Sequence, residues 1–149
     1  MVSSIKAYDP LDLYNQAIKK IEETGIRATK QRRVLAKILF DKGNRHVSAD
    51  ELYQDVKKED RKISMATVYN TLKQFTNLGI IREVVVDQNK SLYCTNRKNH
   101  YHLYIEDEGK IMDIPLKNID LNIPSIPACL QLHNIDVIVR IRTLKDKKN

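Results

Sequence analysis

With 149 residues, 42% hydrophobic and 30% charged, the chain has room for one ordinary globular domain or two small ones that share an interface. No run approaches the roughly 18 apolar residues of a membrane helix, and the opening stretch MVSSIKAYDPLDLYNQ lacks a signal-peptide core, which points to a cytosolic protein. The net charge of +7 favours a polyanionic partner, and the excess is uneven: residues 1–85 carry 16 Lys and Arg against 11 Asp and Glu, residues 86–149 only 10 against 8.

Up to about residue 79 the apolar spacing is helical. LDLYNQAIKKIEET (residues 11–24) places Leu11, Tyr14, Ala17, Ile18 and Ile21 at steps of three and four. TKQRRVLAKILFDKG repeats this with Val34, Leu35, Ile38 and Leu39, from Thr29 as N-cap to Gly43. In SADELYQDVKK, Ser48 and Glu51 have the spacing of a capping box. SMATVYNTLKQFTNLG begins at Ser64 as N-cap, carries Ala66, Val68, Leu72, Phe75 and Leu78 inside, and stops at Gly79.

After Gly79 the period changes to two. IIREVVVD and KSLYCTN read as a hairpin joined by QN. HYHLYIE, KIMDI and IDVIVRIR follow as strands, with EG in the first turn, while the three prolines in PLKNIDLNIPSIPACLQL keep that stretch irregular apart from one short helix. The basic end KDKKN reads as a frayed tail, and Tyr8 and Tyr14 as packing residues. Helices followed by a two-stranded wing form the plan of a winged helix-turn-helix. The expectation is an α+β chain, with this module over residues 1–87, its wing continuing to about 96, and a small α/β unit over 97–149.

In such a module the helix opening at Ser64 lies in the major groove. Its polar face offers Ser64, Thr67, Tyr69, Asn70, Thr71, Lys73 and Gln74. Thr and Tyr suit thymine methyls, Asn and Gln suit adenine, and Arg27, Lys30, Arg32, Arg33, Arg61, Lys62 and Lys73 suit phosphates or the minor groove. In KNHYHLYIE, strand alternation puts His100, His102 and Tyr104 on one face and the apolar Tyr101, Leu103 and Ile105 on the other, which is then the core face. Two imidazoles two residues apart on a strand can bind one ion without bending the backbone. Polar, exposed histidines remain the alternative. Only Cys94 and Cys129 are present, and in a reducing compartment both read as free thiols. His133 reads as a loop residue. No acid–base pair has motif spacing, and no Gly-rich phosphate loop can be drawn from 4 glycines, which argues against an enzyme.

GIRATKQRRVLAKIL, HVSADELY and SMATVYNTLKQFTNLGII, in this order, resemble the ferric uptake regulator (Fur) family over about residues 24 to 115. ATVYNTLKQFT, VVVDQNKSLYCTN and DIP look most like its iron response regulator (Irr) branch. The resemblance implies a homodimeric, cytoplasmic transcriptional regulator, a repressor or activator of iron and haem genes, that binds AT-rich inverted repeats in double-stranded DNA, with residues 97–149 as the dimerisation and sensing domain. It implies that Tyr69 packs on thymine, that Arg27 lies near the minor groove, and that Asn70 stands where many relatives have Arg. It also implies a regulatory metal site from His46, Cys94, His100, His102 and Asp113, joining the two domains and taking Fe, Mn or Zn, or haem iron on His100 and His102. Where relatives have Glu or Asp, Cys94 offers a thiolate, which favours Zn²⁺ or haem iron. Tyr101 is a haem ligand in principle, but its strand parity turns it towards the core. Ile105 and Glu108 occupy the positions of the relatives' zinc cysteines, so no structural Cys₄ zinc is expected, and the small domain depends on its apolar core and dimer interface. Regulators in the same fold that sense manganese, zinc or peroxide, and a winged-helix interaction module that does not bind DNA, stand as the alternatives.

Overall fold

The structure is a computed structural model that describes residues 9–59 and 62–145. Tyr8, Arg61 and the basic tail beyond Lys145 lie outside the described residues. The chain divides into two compact units that meet between Arg97 and Lys98.

The first unit opens with α1 (Pro10–Glu23), where Asp9 caps the N-terminus by accepting the Leu11 N–H and Pro10 occupies the first turn. In α2 (Lys30–Phe40), Thr29 accepts the Arg32 N–H at 3.3 Å. In α3 (Ala49–Glu59) the capping box is closed in both directions: the Ser48 N–H reaches Glu51 at 2.8 Å and the Glu51 N–H reaches Ser48 at 3.1 Å. In α4 (Met65–Asn77), Ser64 caps through the Thr67 N–H at 3.2 Å. This helix ends in a Schellman turn. Gly79 stands at φ 68°, its N–H donates to Thr76, and the Ile80 N–H donates back to Phe75 at 2.9 Å.

All four helices pack on one core that includes Leu13, Ile21, Leu35, Leu39, Leu52, Val56, Leu72 and Phe75. Two expected core positions differ. Leu11 is 63% exposed while Leu13 is buried, because Leu13, Ala17 and Ile21 follow one another at four-residue steps along the face that meets α2. Ala66 is exposed, since the buried face of α4 is Val68, Thr71, Leu72 and Phe75.

The wing is β2 (Arg82–Asp87) and β3 (Lys90–Cys94), antiparallel around Gln88-Asn89, with Val84 and Val86 turned inward. A further strand, β1 (His46–Val47), pairs with the other edge of β3, giving the order β1-β3-β2. Two residues are too few to show a period, so this strand is held by tertiary pairing rather than local propensity.

In the second unit, β4 (Tyr101–Ile105) is flanked by antiparallel β5 (Lys110–Ile114) and parallel β6 (Ile138–Ile141). The connection between β5 and β6 is irregular apart from a 3₁₀ turn at Leu116–Asn118. The expected apolar core is not found among the described residues of this unit: only His100, His102 and Tyr104 are buried, and every residue from 121 to 134 is exposed.

Candidate metal centre and nucleic-acid interface

α4 presents Tyr69, Asn70 and Lys73 to solvent, with Tyr69 49% exposed. Ser64 commits its side-chain oxygen to the helix cap and to the Thr67 hydroxyl at 3.0 Å, so both are engaged locally. Arg27 is exposed. Arg32 is half-buried: its Nε donates to Gln74 Oε1 at 2.9 Å and its Nη1 donates to the Arg27 carbonyl. Arg33 pairs with Glu22 at 2.9 Å and donates to the Ala28 carbonyl. The start of α2 and the polar face of α4 thereby enclose an open groove of about 280 Å³ lined by Thr29, Arg32, Thr67, Asn70 and Gln74. The Arg32–Gln74 contact has no local sequence signal, because the residues are 42 apart.

A second groove runs between Tyr69, the start of α3 and the wing, lined also by Ser48, Lys90 and Tyr93. Burial, then the neighbouring Glu83 and Tyr69, push the Tyr93 phenol above its ordinary range. The group therefore stays protonated and able to donate at neutral pH.

Two sets of metal-ligating side chains are assembled, one in each unit. In the first, His46 on β1 is the register partner of Cys94 on β3, and their ligand atoms lie within 4.8 Å of each other. Cys94 is fully buried and forms no disulfide, and Cys129 is exposed. In the second, His102 on β4 stands opposite Asp113 on β5. The Nε2 atoms of His100 and His102 are 2.9 Å apart, and Asp113 Oδ1 lies 3.2 Å from the first and 3.5 Å from the second. Nδ1 of His100 contacts the Lys98 carbonyl, which orients the ring.

Strand parity holds, but the face is reversed from expectation. His102 and Tyr104 form the buried face of β4, continued by His100 just before it, whereas Tyr101, Leu103 and Ile105 are only half-buried. The two imidazoles satisfy each other through their Nε2 atoms, and His100 also meets the Lys98 carbonyl, which lets these polar side chains occupy the interior. His133 is exposed.

The donor set suits a single ion. Ligand atoms of a tetrahedral site with bonds of ~2.0–2.1 Å stand about 3.3 Å apart, close to the 2.9, 3.2 and 3.5 Å separations here. Two axial imidazoles on opposite sides of a haem iron with such bonds stand about 4 Å apart, farther than this pair.

Among the described residues, no helix is long and apolar enough to cross a membrane. A match to the ferric uptake regulator family spans residues 23–141. The "Peroxide-responsive repressor PerR" of Staphylococcus aureus strain Mu50 is 37% identical over 98 residues, 66% of this chain and 66% of that protein. Its Staphylococcus epidermidis counterpart is 34% identical over 105 residues, 70% and 69% of the two chains. The chain thus spans about two thirds of the length of these curated relatives. Among solved structures, the Campylobacter jejuni peroxide stress regulator is 28% identical with a TM-score of 0.59, covering 89% of this chain and 97% of the other. The ferric uptake regulator of Pseudomonas aeruginosa, solved with manganese, has a TM-score of 0.64, covering 85% and 97%, at 18% identity, a likeness of fold alone.

Proposed function

Since the chain belongs to the ferric uptake regulator family, we propose that it is a metal-responsive transcriptional regulator that binds a specific DNA sequence and works as a homodimer. The observation that carries the metal response is the triad of buried His100 and His102 with half-buried Asp113, whose three ligand atoms already stand at the mutual spacing of one ion's ligands. His46 and Cys94, paired on neighbouring strands, complete the proposed ligand set. Bound there, Fe²⁺, Mn²⁺ or Zn²⁺ supplies a positive charge around which neutral imidazoles, a carboxylate and a thiolate are held together. The Cys94 thiolate weights the choice towards Zn²⁺. Haem on His100 and His102 has weaker support, since these imidazoles are closer together than trans axial ligands and their side chains are 0% and 8% exposed. The relatives named above are peroxide and metal-uptake regulators, so the Irr branch draws no support from them.

Tyr69, Asn70 and Lys73 are the proposed DNA contacts on α4, with Arg27 and Arg32 towards the backbone or minor groove; Thr67 and Ser64 set the helix start. The homodimer reading rests on the second unit. Met112, Ile123, Leu130 and Leu132 are exposed there over a unit with no buried aliphatic residue among those described, and a second copy is the proposed cover. A two-fold dimer reads an inverted repeat, and AT-rich sequence suits Tyr69 and Asn70. The relatives are regulators, and the enzymatic reading has no support.

A second reading, that the signal is peroxide acting through the same residues, is supported by the peroxide-responsive relatives at 37% and 28% identity. The test is operator binding by the metal-loaded protein, the chelator-treated protein and the metal-loaded protein exposed to peroxide. A metal-dependent change in affinity is expected. Equal affinity in the first two states refutes the metal response, and insensitivity of the third refutes the peroxide reading.

A further inference from the structure

On the DNA-binding reading of α4, we propose that Arg32 is a positioning residue for base recognition: by holding the amide oxygen of Gln74 it fixes the rotation of that side chain and leaves its NH₂ group to lead, so that Gln74 favours thymine O4 or guanine O6/N7 and adenine recognition passes to Asn70.

An arginine side chain has donors and no acceptor, so a contact of 2.9 Å from its Nε identifies the oxygen end of the Gln74 amide. Arg32 is itself fixed at a second point, through Nη1 to the Arg27 carbonyl. Both Arg32 and Gln74 are half-buried, so this charge-assisted bond is partly shielded from water and restrains the amide's rotation. The NH₂ group of Gln74 then supplies the contacts that remain.

Thr67, Asn70, Thr71 and Gln74 recur at three- and four-residue steps, so they share one face of α4 above the groove. Bidentate reading of adenine needs an amide that accepts from N6 and donates to N7 at once. At Gln74 an approaching N6 amino group meets an oxygen that already accepts from a guanidinium, so it competes with a positive charge for the one lone pair left and with an amide whose rotation is fixed. Asn70, one turn earlier, is exposed, and its amide engages no other described residue. It keeps both halves of the adenine pattern. Two amides of the same chemistry on one helix face are thereby given different base preferences by a residue that need not touch a base.

Selection from a randomised duplex library with the full chain tests this. Gln74→Ala identifies the operator position that residue 74 reads, and in the wild type that position should favour thymine or guanine. Arg32→Met keeps the aliphatic stem and removes the brace; adenine should rise there by about tenfold or more, the discrimination of one base contact. Gln74→Glu offers Arg32 one oxygen and the base another, so the same position should move to cytosine, whose N4 donates. This variant carries the test if Arg32→Met does not fold. An unchanged base distribution in the variants, beside a wild type that selects a defined operator, overturns the role of Arg32 and leaves the DNA-binding reading standing. A wild type that selects no sequence overturns both.

Discussion

Replacing His100 and His102 together by alanine should abolish metal-linked stabilisation and leave the first unit folded. In the wild type the two Nε2 atoms and one Asp113 oxygen already lie within 3.5 Å of one another, so an ion finds its donors in place instead of gathering them. A ligand that binds only the folded state stabilises it by about 2.7 kcal/mol at a hundredfold excess over its dissociation constant. For a chain of this length, each kcal/mol moves the midpoint by roughly 2–4 °C, so the expected shift is roughly 5–11 °C. The assay is thermal unfolding with and without Zn²⁺ or Mn²⁺, each protein compared with itself, since losing two buried side chains lowers the variant's own midpoint. The shift should shrink as pH falls, because ligation needs deprotonated imidazoles. An equal shift in wild type and double variant would refute the assignment of these histidines, and no shift in either would refute the metal site.

Other expectations concern different parts of the chain. Tyr69→Ala should weaken specific DNA binding by about 1–3 kcal/mol with little change in nonspecific affinity; unaltered operator affinity in a gel-shift titration would remove α4 from the recognition role. Cys94→Ser should lower Zn²⁺ affinity more than Mn²⁺ affinity, because only the first loses a preferred soft donor; equal losses in competition titrations would exclude the thiolate from the ligand set. A strong chelator should not unfold the chain, whose two cysteines, Cys94 and Cys129, cannot supply a Cys₄ site; collapse of far-ultraviolet circular dichroism on chelation would contradict this. The Asp107 carboxyl is held below its ordinary range by the Thr143 N–H, then by the Thr143 hydroxyl. Its contribution is present above the unfolded value of about 3.9 and lost as pH falls through the lower folded value. Asp107→Asn should therefore flatten the acid dependence of the second unit's stability below about pH 4, and an acid profile like the wild type's would assign that dependence elsewhere.

Helix caps were the most legible features, because Thr29, Ser48, Ser64 and Gly79 act through bonds to residues a few positions away. The wing was equally plain, its alternation set by inward Val84 and Val86. Features built across long separations were not. β1 is visible only beside β3, and the Arg32–Gln74 bond only once α2 meets α4. Alternation located the face shared by His100 and His102, but polarity misjudged which face is buried, because polar groups can enter the interior when they satisfy one another. Asp113 could not be derived from local spacing; family likeness named it, and the register of β4 with β5 sets it beside His102.

The wing's inner strand spans from Lys90 beside the turn to Cys94 at the opposite end, about 13 Å at 3.3 Å per residue. At Cys94 it is gripped from both sides, by His46 of β1 and Arg82 of β2. A paired strand of this kind is a stiff lever. A displacement imposed on the sulfur is carried to the turn without a joint between them, so on the proposed ligand role of Cys94 a change in its ligation would act as a mechanical input to the wing's turn.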